Sequence, residues 1–184
     1  MGKLYEAIDG RLRDFILRQP VFFVATAPSG SGGHVNISPK GGAGCLAVAD
    51  ERRVAYLDYT GSGAETIAHL RDNGRITLML CAFQGPPKIV RLHGQGRAVL
   101  PSDAGFAELL ALFPQEPARG LRSIIEVTVE RISDSCGYQV PLMEYAGDRD
   151  LLERWAERKS DAELADYRRT RNGRSIDGLP AMSD

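Results

Sequence analysis

Ser62-Gly63-Ala64-Glu65 follows closely on the apolar run Val54 to Asp58, which sets small, hydrogen-bonding residues where a strand gives way to a helix. In that position Ser62 caps the first-turn amides while Glu65 reaches back, and Gly61 and Gly63 let a ligand approach the backbone. A helix start of this kind holds an anion, a phosphate above all, because the amides and the helix dipole favour negative charge together. The alternative is a plain strand-to-helix turn in which Ser62 caps its own helix and nothing else. Two other polar rows bear on the choice. His34, Asn36 and Ser38 alternate with Val35 and Ile37, so they line one face of a strand, with Lys40 just beyond Pro39. Ile89, Arg91 and His93 alternate likewise with Val90 and Leu92. If both rows face the Gly61-Ser62 turn, two cations and a set of amides converge on one anion. Otherwise the polar faces meet water, as half of most antiparallel strands do.

The elements that must position these residues follow from periodicity. Leu4, Ile8, Leu12, Phe15 and Ile16 form one stripe at helical spacing, so the chain is expected to open with an amphipathic helix ended by Gln19-Pro20. Val21 to Thr26, the glycine-rich turn Pro28 to Gly33 and His34 to Ser38 read as a hairpin. Further strands are expected at Gly44 to Val48, Val54 to Asp58, Arg75 to Phe83, Lys88 to Leu100 and Ser123 to Ile132, with short helices near Ala64 to Asn73 and Ser102 to Leu112. Short connections favour antiparallel neighbours, so the fold class is mainly β with peripheral helices, six or seven mostly antiparallel strands forming a small barrel. Leu151, Leu152, Trp155, Leu164 and Tyr167 mark a helical C-terminal extension over about 148–171, with Trp155 and Tyr167 on its apolar face. The tail 172–184 lacks periodicity, either frayed or laid across the body; Ile176 and Leu179 are expected to be buried there, with an arginine from Arg168 to Arg174 open to an anion.

With 184 residues, 43% hydrophobic, 26% charged and a net charge of −1, the chain fits one soluble domain, 1–184, with a substantial core. Basic and acidic residues are mixed, which argues against a nucleic-acid surface, and the cluster Arg168, Arg169, Arg171 and Arg174 reads equally well as a solvated helix face. No apolar run reaches membrane length and the N-terminus has no hydrophobic signal centre, so a cytoplasmic protein is expected. Cys45, Cys81 and Cys136 are far apart and odd in number, with no CxxC pair and no histidine at ligand spacing. Reduced thiols and no metal site are expected. His34, His69 and His93 accompany no nucleophile motif, and Gly94-Gln95-Gly96 sits late in a strand, where it reads as a bulge rather than a dinucleotide fingerprint. No catalytic side chain is assigned.

VFFVATAP, HVNISPKG, VAYLDYTGSGAETIAHLRDNGRITLML and PKIVRLHGQGRAV resemble, in order and spacing, the successive elements of the pyridoxamine 5′-phosphate oxidase-like flavoproteins. CGYQVPLMEY, RDLLERWAERK and SIDGLPAM resemble a bacterial subgroup of that superfamily. The resemblance implies an FMN-binding split β-barrel and a homodimer carrying two flavin mononucleotides at the subunit interface, each touched by both chains. It implies an FMN-dependent oxidoreductase acting on a small molecule. Lys40 matches the basic residue that holds the phosphate, with Ser38 beside it, and Gly61-Ser62 matches the helix start where the true oxidases carry Ser-Arg-Lys. Here phosphate binding falls to the helix amides, Ser62, Thr60, Lys40 and Arg91. Cofactor contacts are thus expected from Asn36, Ser38, Lys40, Thr60, Gly61, Ser62, Thr66, Arg91, Tyr138 and Arg168, with Tyr138 either lining the flavin ring or packing the interface. The oxidases' Arg-Leu-x-Pro motif is replaced by Asp177-Gly178-Leu179-Pro180, which points away from pyridoxamine phosphate as substrate. Deazaflavin and haem are alternative cofactors in the superfamily, and a non-catalytic carrier or sensor is the alternative role.

Overall fold

Alternating branched and aromatic residues build one antiparallel sheet. The computed structural model describes residues 2–182. Its strands are β1 (Leu4–Tyr5), β2 (Val21–Thr26), β3 (Asn36–Gly41), β4 (Leu46–Val48), β5 (Arg53–Tyr59), β6 (Arg75–Cys81), β7 (Ile89–Val99) and β8 (Leu121–Ser135). Seven of them follow the order β3-β2-β6-β7-β8-β5-β4, and β1 adds to β8. The helices are α1 (Gly10–Arg18), α2 (Glu65–Asn73), α3 (Phe106–Leu110), α4 (Leu151–Glu157) and α5 (Asp161–Arg171). This is the mainly-β, antiparallel split barrel with peripheral helices, the short β1 being the strand beyond the six or seven expected.

One side of the curved sheet packs Phe22, Val24, Leu78, Leu80, Val90, Leu92, Ile125 and Val127 into the main core. α1 covers it with Leu12 and Ile16, and α2 with Ile67, Ala68 and Leu70. α3 covers the other side of β5 and β8, where Leu109 and Phe113 meet Ala55, Leu57 and Ile124. In β7 the alternation holds: Val90 and Leu92 are buried while Arg91 and His93 are half-buried on the opposite face. The ladder shifts register between His93 and Gly94, as the glycines suggest. A Cβ at Gly94 would lie 2.0 Å from the Thr128 carbonyl, so the close approach of β7 to β8 requires glycine there.

Several boundaries differ from expectation. Leu4 pairs with Ser133 in β1 instead of opening a helix; α1 starts at Gly10, because Asp9 caps it by accepting from the Leu12 amide at 2.8 Å. The second hairpin strand runs over Asn36–Gly41, later than His34 to Ser38, since His34 is held instead by Asp177 of the tail. The C-terminal helices are two, and the Ser160-Glu163 capping box starts the second afresh.

Candidate functional site

The cross-strand pairs Asn36↔Thr26, Ser38↔Val24 and Lys40↔Phe22 turn the polar row of β3 to the core side of the sheet. A hydrogen-bonded chain results. Ser38 Oγ donates to Asn36 Oδ1 at 3.1 Å, and Asn36 Nδ2 donates to Thr66 Oγ1 at 3.2 Å and Thr26 Oγ1 at 3.3 Å. Thr26 Oγ1 lies 3.0 Å from His69 Nδ1. Asn36 and Ser38 of β3 therefore meet Thr66 of α2, which lies 30 residues beyond Asn36. Two buried polar atoms beside them, Tyr56 Oη and His69 Nε2, have no hydrogen-bond partner among the described residues. Burial drives the Tyr56 pKa well above its ordinary value, with the Asp58 charge adding to the effect, and burial lowers that of His69.

Asp58 anchors the neighbouring charge layer. Its carboxylate is buried and accepts from Lys40 Nζ at 2.9 Å, Arg122 Nε at 2.7 Å and Ser123 Oγ at 3.1 Å. Burial alone raises a carboxyl's pKa, but the Lys40 and Arg122 charges outweigh it and leave Asp58 below the usual carboxylate range. Arg122 continues the network, donating to the Gly63 carbonyl at 2.8 Å and to Asn172 Oδ1 at 2.9 Å. Asn172 Nδ2 then donates to the Gly61 carbonyl at 2.9 Å. From α5, Arg168 gives Nε to Thr60 Oγ1 at 2.8 Å and shares Nη2 between the Gly120 and Leu121 carbonyls. Burial, then the nearby Arg122 charge, lowers the Arg168 pKa.

These bonds shape the turn after β5. The described peptide bonds are trans, and in a trans peptide the carbonyl and the next residue's N–H point opposite ways. With the Gly61 and Gly63 carbonyls drawn onto Asn172 and Arg122, the amides of Ser62 and Ala64 point away from the buried layer. The same pull corrects the expected cap. Ala64, not Ser62, is the N-cap of α2, and it makes no side-chain cap bond. The helical ladder begins only with the Ala68 amide on the Ala64 carbonyl at 3.0 Å. Glu65 accepts from the Ile176 amide of the tail at 3.2 Å.

The expected site residues divide. Asn36, Ser38 and Thr66 gather at α2, Lys40 joins the Asp58 layer beside them, and Thr60, Gly61, Ser62 and Arg168 gather at the turn. A cleft of about 390 Å³ opens between Thr60, Gly61, Ser62 and the α4–α5 residues Leu151, Leu152, Trp155 and Tyr167. Arg91 does not join them: its ladder neighbours Met79 and Ser133 share the outer face of the sheet, and its guanidinium donates to Ser135 Oγ at 2.9 Å. Tyr138 lies in the irregular arm after β8, 81% exposed. In the tail, Leu179 and Met182 pack on the core and Ala181 is buried, but Ile176 is 72% exposed, because the turn at Ile176-Asp177 fastens through Asp177 to His34 at the rim and leaves Ile176 facing out. A larger groove of about 1760 Å³ runs between α1, the start of β2 and the arm around Met143 to Arg149. It contains none of the converging buried charges, so the turn is the candidate site. Asp58, Arg122, Ser123 and Asn172 were not anticipated from the sequence. Asp58 and Arg122 carried a signal, each being a charge within or beside an apolar strand and so requiring a buried partner.

A family model for pyridoxamine 5′-phosphate oxidase matches residues 8–136, which covers β2 to β8, α2 and the turn. The chain belongs to the pyridoxamine 5′-phosphate oxidase family. A curated relative is 39% identical over 99% of this chain and 78% of its own length: the pyridoxamine 5′-phosphate oxidase family protein ustO of Aspergillus flavus. Among solved structures, a HupZ variant from Group A Streptococcus superposes with a TM-score of 0.57 at 22% identity, over 70% of this chain and 99% of that one. A putative 5-nitroimidazole antibiotic resistance protein from Bacteroides thetaiotaomicron superposes with a TM-score of 0.50 at 11% identity, over 73% and 86%. At such identities the structural likeness shows the shared fold. The family model ends at residue 136, so α4, α5 and the tail lie outside it. Among the described residues, no helix is long and apolar enough to cross a membrane.

Proposed function

We propose that the protein is an FMN-dependent oxidoreductase acting on a small molecule, with the flavin phosphate held at the Gly61–Ala64 turn. The observation that carries this reading is the pair of amides, Ser62 and Ala64, turned outward from a layer in which Lys40 and Arg122 face one buried carboxylate, Asp58, while Arg168 fixes Thr60 at the start of the turn. Outward-facing amides backed by a layer with two cations to one anion suit a phosphate dianion. Lys40 gives one of its three donors to Asp58, which leaves others for a ligand, whereas the Thr60 hydroxyl already donates to the Gly120 carbonyl at 2.8 Å. Bound flavin supplies two-electron redox chemistry. The chain's own groups bind its anionic end, orient it and stabilise negative charge through fixed amides and cations. Asn36, Thr66 and the unpartnered Tyr56 and His69 atoms offer polar partners deeper in the same region.

The same reading makes the protein a cytoplasmic homodimer with the cofactor at the subunit interface. Val35 and Ile37, 68% and 67% exposed, leave the β2–β3 edge apolar, and a second chain would be needed for Arg91 and Tyr138 to take the cofactor role proposed for them. Cys45, Cys81 and Cys136 are free thiols, in keeping with a reducing compartment. Pyridoxamine phosphate is not the proposed substrate: Asp177 is engaged by His34, and Arg174 turns onto its own Gly178 carbonyl.

The test is to purify the protein, record its absorption spectrum and identify by mass spectrometry what copurifies, then titrate the stripped protein with FMN while following sedimentation. One flavin per chain in a dimer supports the reading. A Soret band, or a protein that cannot be reconstituted with any flavin, overturns it.

A further inference from the structure

The most unusual feature of the turn is who holds it. Both of its inward carbonyls are fixed through Asn172, which binds the Gly61 carbonyl directly and braces the Arg122 guanidinium that binds the Gly63 carbonyl. Asn172 is the C-cap residue of α5 and is fully buried, with its own amide on the Arg168 carbonyl at 2.8 Å. One turn earlier on the same helix face, Arg168 fixes Thr60 and the chain at Gly120 and Leu121. Arg168 and Asn172 themselves lie outside the segment matched by the family model, which stops at residue 136.

We infer that Asn172 and Arg168 are positioning residues for the anion site: α5 clamps the Gly61–Gly63 carbonyls so that the Ser62 and Ala64 amides are preorganised for a phosphate monoester. The inference rests on the flavin reading of this site. Its physical basis is that a flexible Thr60-Gly61-Ser62-Gly63 turn would have to order its backbone on binding, whereas a clamped one has already done so. Glycine at 61 and 63 makes the need acute, since these residues have the most backbone freedom to lose. An unclamped turn is also free to rotate its carbonyls toward the anion, which reverses the interaction. The clamp supplies by backbone placement what a cationic side chain in the turn would supply by charge, and the turn here has none between Thr60 and Ala64. The C-terminal helix is then part of the binding site and not an appendage to the barrel.

The experiment compares FMN with riboflavin, which carries the same ring but no phosphate, on the full-length protein and on Asn172→Ala. The expected result is a loss of FMN affinity of about tenfold with riboflavin affinity unchanged, so that the ratio of the two falls. Arg168→Lys keeps the charge but cannot span Thr60 and the Gly120–Leu121 carbonyls, and it serves where Asn172→Ala does not fold; the same shift is expected, smaller in size. If folded variants keep the wild-type ratio, or lose both ligands in parallel, the clamp is overturned and the flavin reading stands. If the wild-type protein prefers neither ligand because it binds neither, the flavin reading fails and the clamp falls with it.

Discussion

Two polar regions of this molecule use the same residue types to different ends. In the inner layer, Asp58, Lys40 and Arg122 are joined by bonds of 2.7 and 2.9 Å, with Asp58 and Arg122 almost wholly removed from water. At the rim, His34 and Asp177 make an equally short pair at 2.7 Å, yet His34 stays largely in solvent. Distance alone therefore says little about energy. A buried ion has lost its hydration and depends on its partner for replacement, while an exposed one can return to water at small cost. The inner layer is fixed and shapes the backbone above it; the rim pair fastens one loop to another and can open.

Removing one member of the inner layer should have the largest effect. Arg122→Ala leaves Asp58 buried with Lys40 and Ser123 only, and strands the Gly63 carbonyl and Asn172 Oδ1. A loss of about 3–5 kcal/mol is expected in urea denaturation. The pH profile sharpens the point. Asp58 has a folded pKa held below its unfolded value of about 3.9. Its contribution is therefore complete above that unfolded value and is lost as pH falls through the folded one. The wild-type protein should lose stability on the acid side with a slope that shrinks in Arg122→Ala. Wild-type stability with an unchanged acid limb would place Asp58 outside the stabilising network.

Next in size is Lys40→Ala. Asp58 keeps Arg122 and Ser123, so the fold should survive, while a phosphate at the turn loses a charged donor. FMN affinity should drop by about 1.5–3 kcal/mol, read by fluorescence titration. Unchanged affinity in the folded variant would assign Lys40 to Asp58 alone and leave the turn amides as the anion site.

The strands were legible because apolar patterning is a local property: β2, β6 and β7 alternate with period two, while β5 and the first part of β8 are short continuous apolar runs buried on both faces. The polar row Asn36, Ser38 and Lys40 was legible for the same reason. Its facing was not, since a lone strand does not say which side another element will cover. At the N-terminus, Leu4 and Ile8 happen to extend the real stripe of Leu12, Phe15 and Ile16, and the Asp9 cap that ends this coincidence is a single residue. The Ser62 cap failed through long-range forces: Arg122 and Asn172 reach the turn from 59 and 111 residues away and reset its carbonyls. No local pattern marks Asn172, whose role exists only once α5 has docked. Arg91, expected at the cofactor but found on the outer face, shows a further limit, because the pattern separated it from Val90 and Leu92 without revealing that Lys40 faces the other way.

Truncation after Gly173 probes the boundary between the two regions. It keeps Asn172 and the inner layer but removes Leu179, Ala181 and Met182 from the core surface, the Ala181 amide bond to Gly173 and the Ile176 bond to Glu65. Partial burial of two large apolar side chains suggests a loss of about 2 kcal/mol in thermal or urea unfolding. FMN should still bind if the clamp ends at Asn172. A truncated protein that melts like the intact one but no longer retains flavin would shift the functional weight from Asn172 to the tail itself.

The smallest effect is expected at the rim. Asp177 accepts from both the His34 amide, at 2.8 Å, and His34 Nδ1, at 2.7 Å, and these bonds, the side-chain one first, hold its pKa below the ordinary carboxylate value. The sign follows that of Asp58: whatever stability Asp177 contributes is present above its unfolded pKa and is lost as pH falls through the folded one. Water competes for the same groups here, so the amplitude should be far smaller than at Asp58. His34→Ala removes the ring but leaves the backbone amide to Asp177, and should change unfolding less than any variant above. Hydrogen exchange supplies the finer measurement, since loosening the strap speeds exchange of the Gly178 and Leu179 amides, bonded to the Ser175 carbonyl and hydroxyl, without touching those of β5 and β8. Should His34→Ala instead destabilise the protein as much as Arg122→Ala, the contrast between buried and exposed pairs would collapse, and the tail would have to be counted as part of the core.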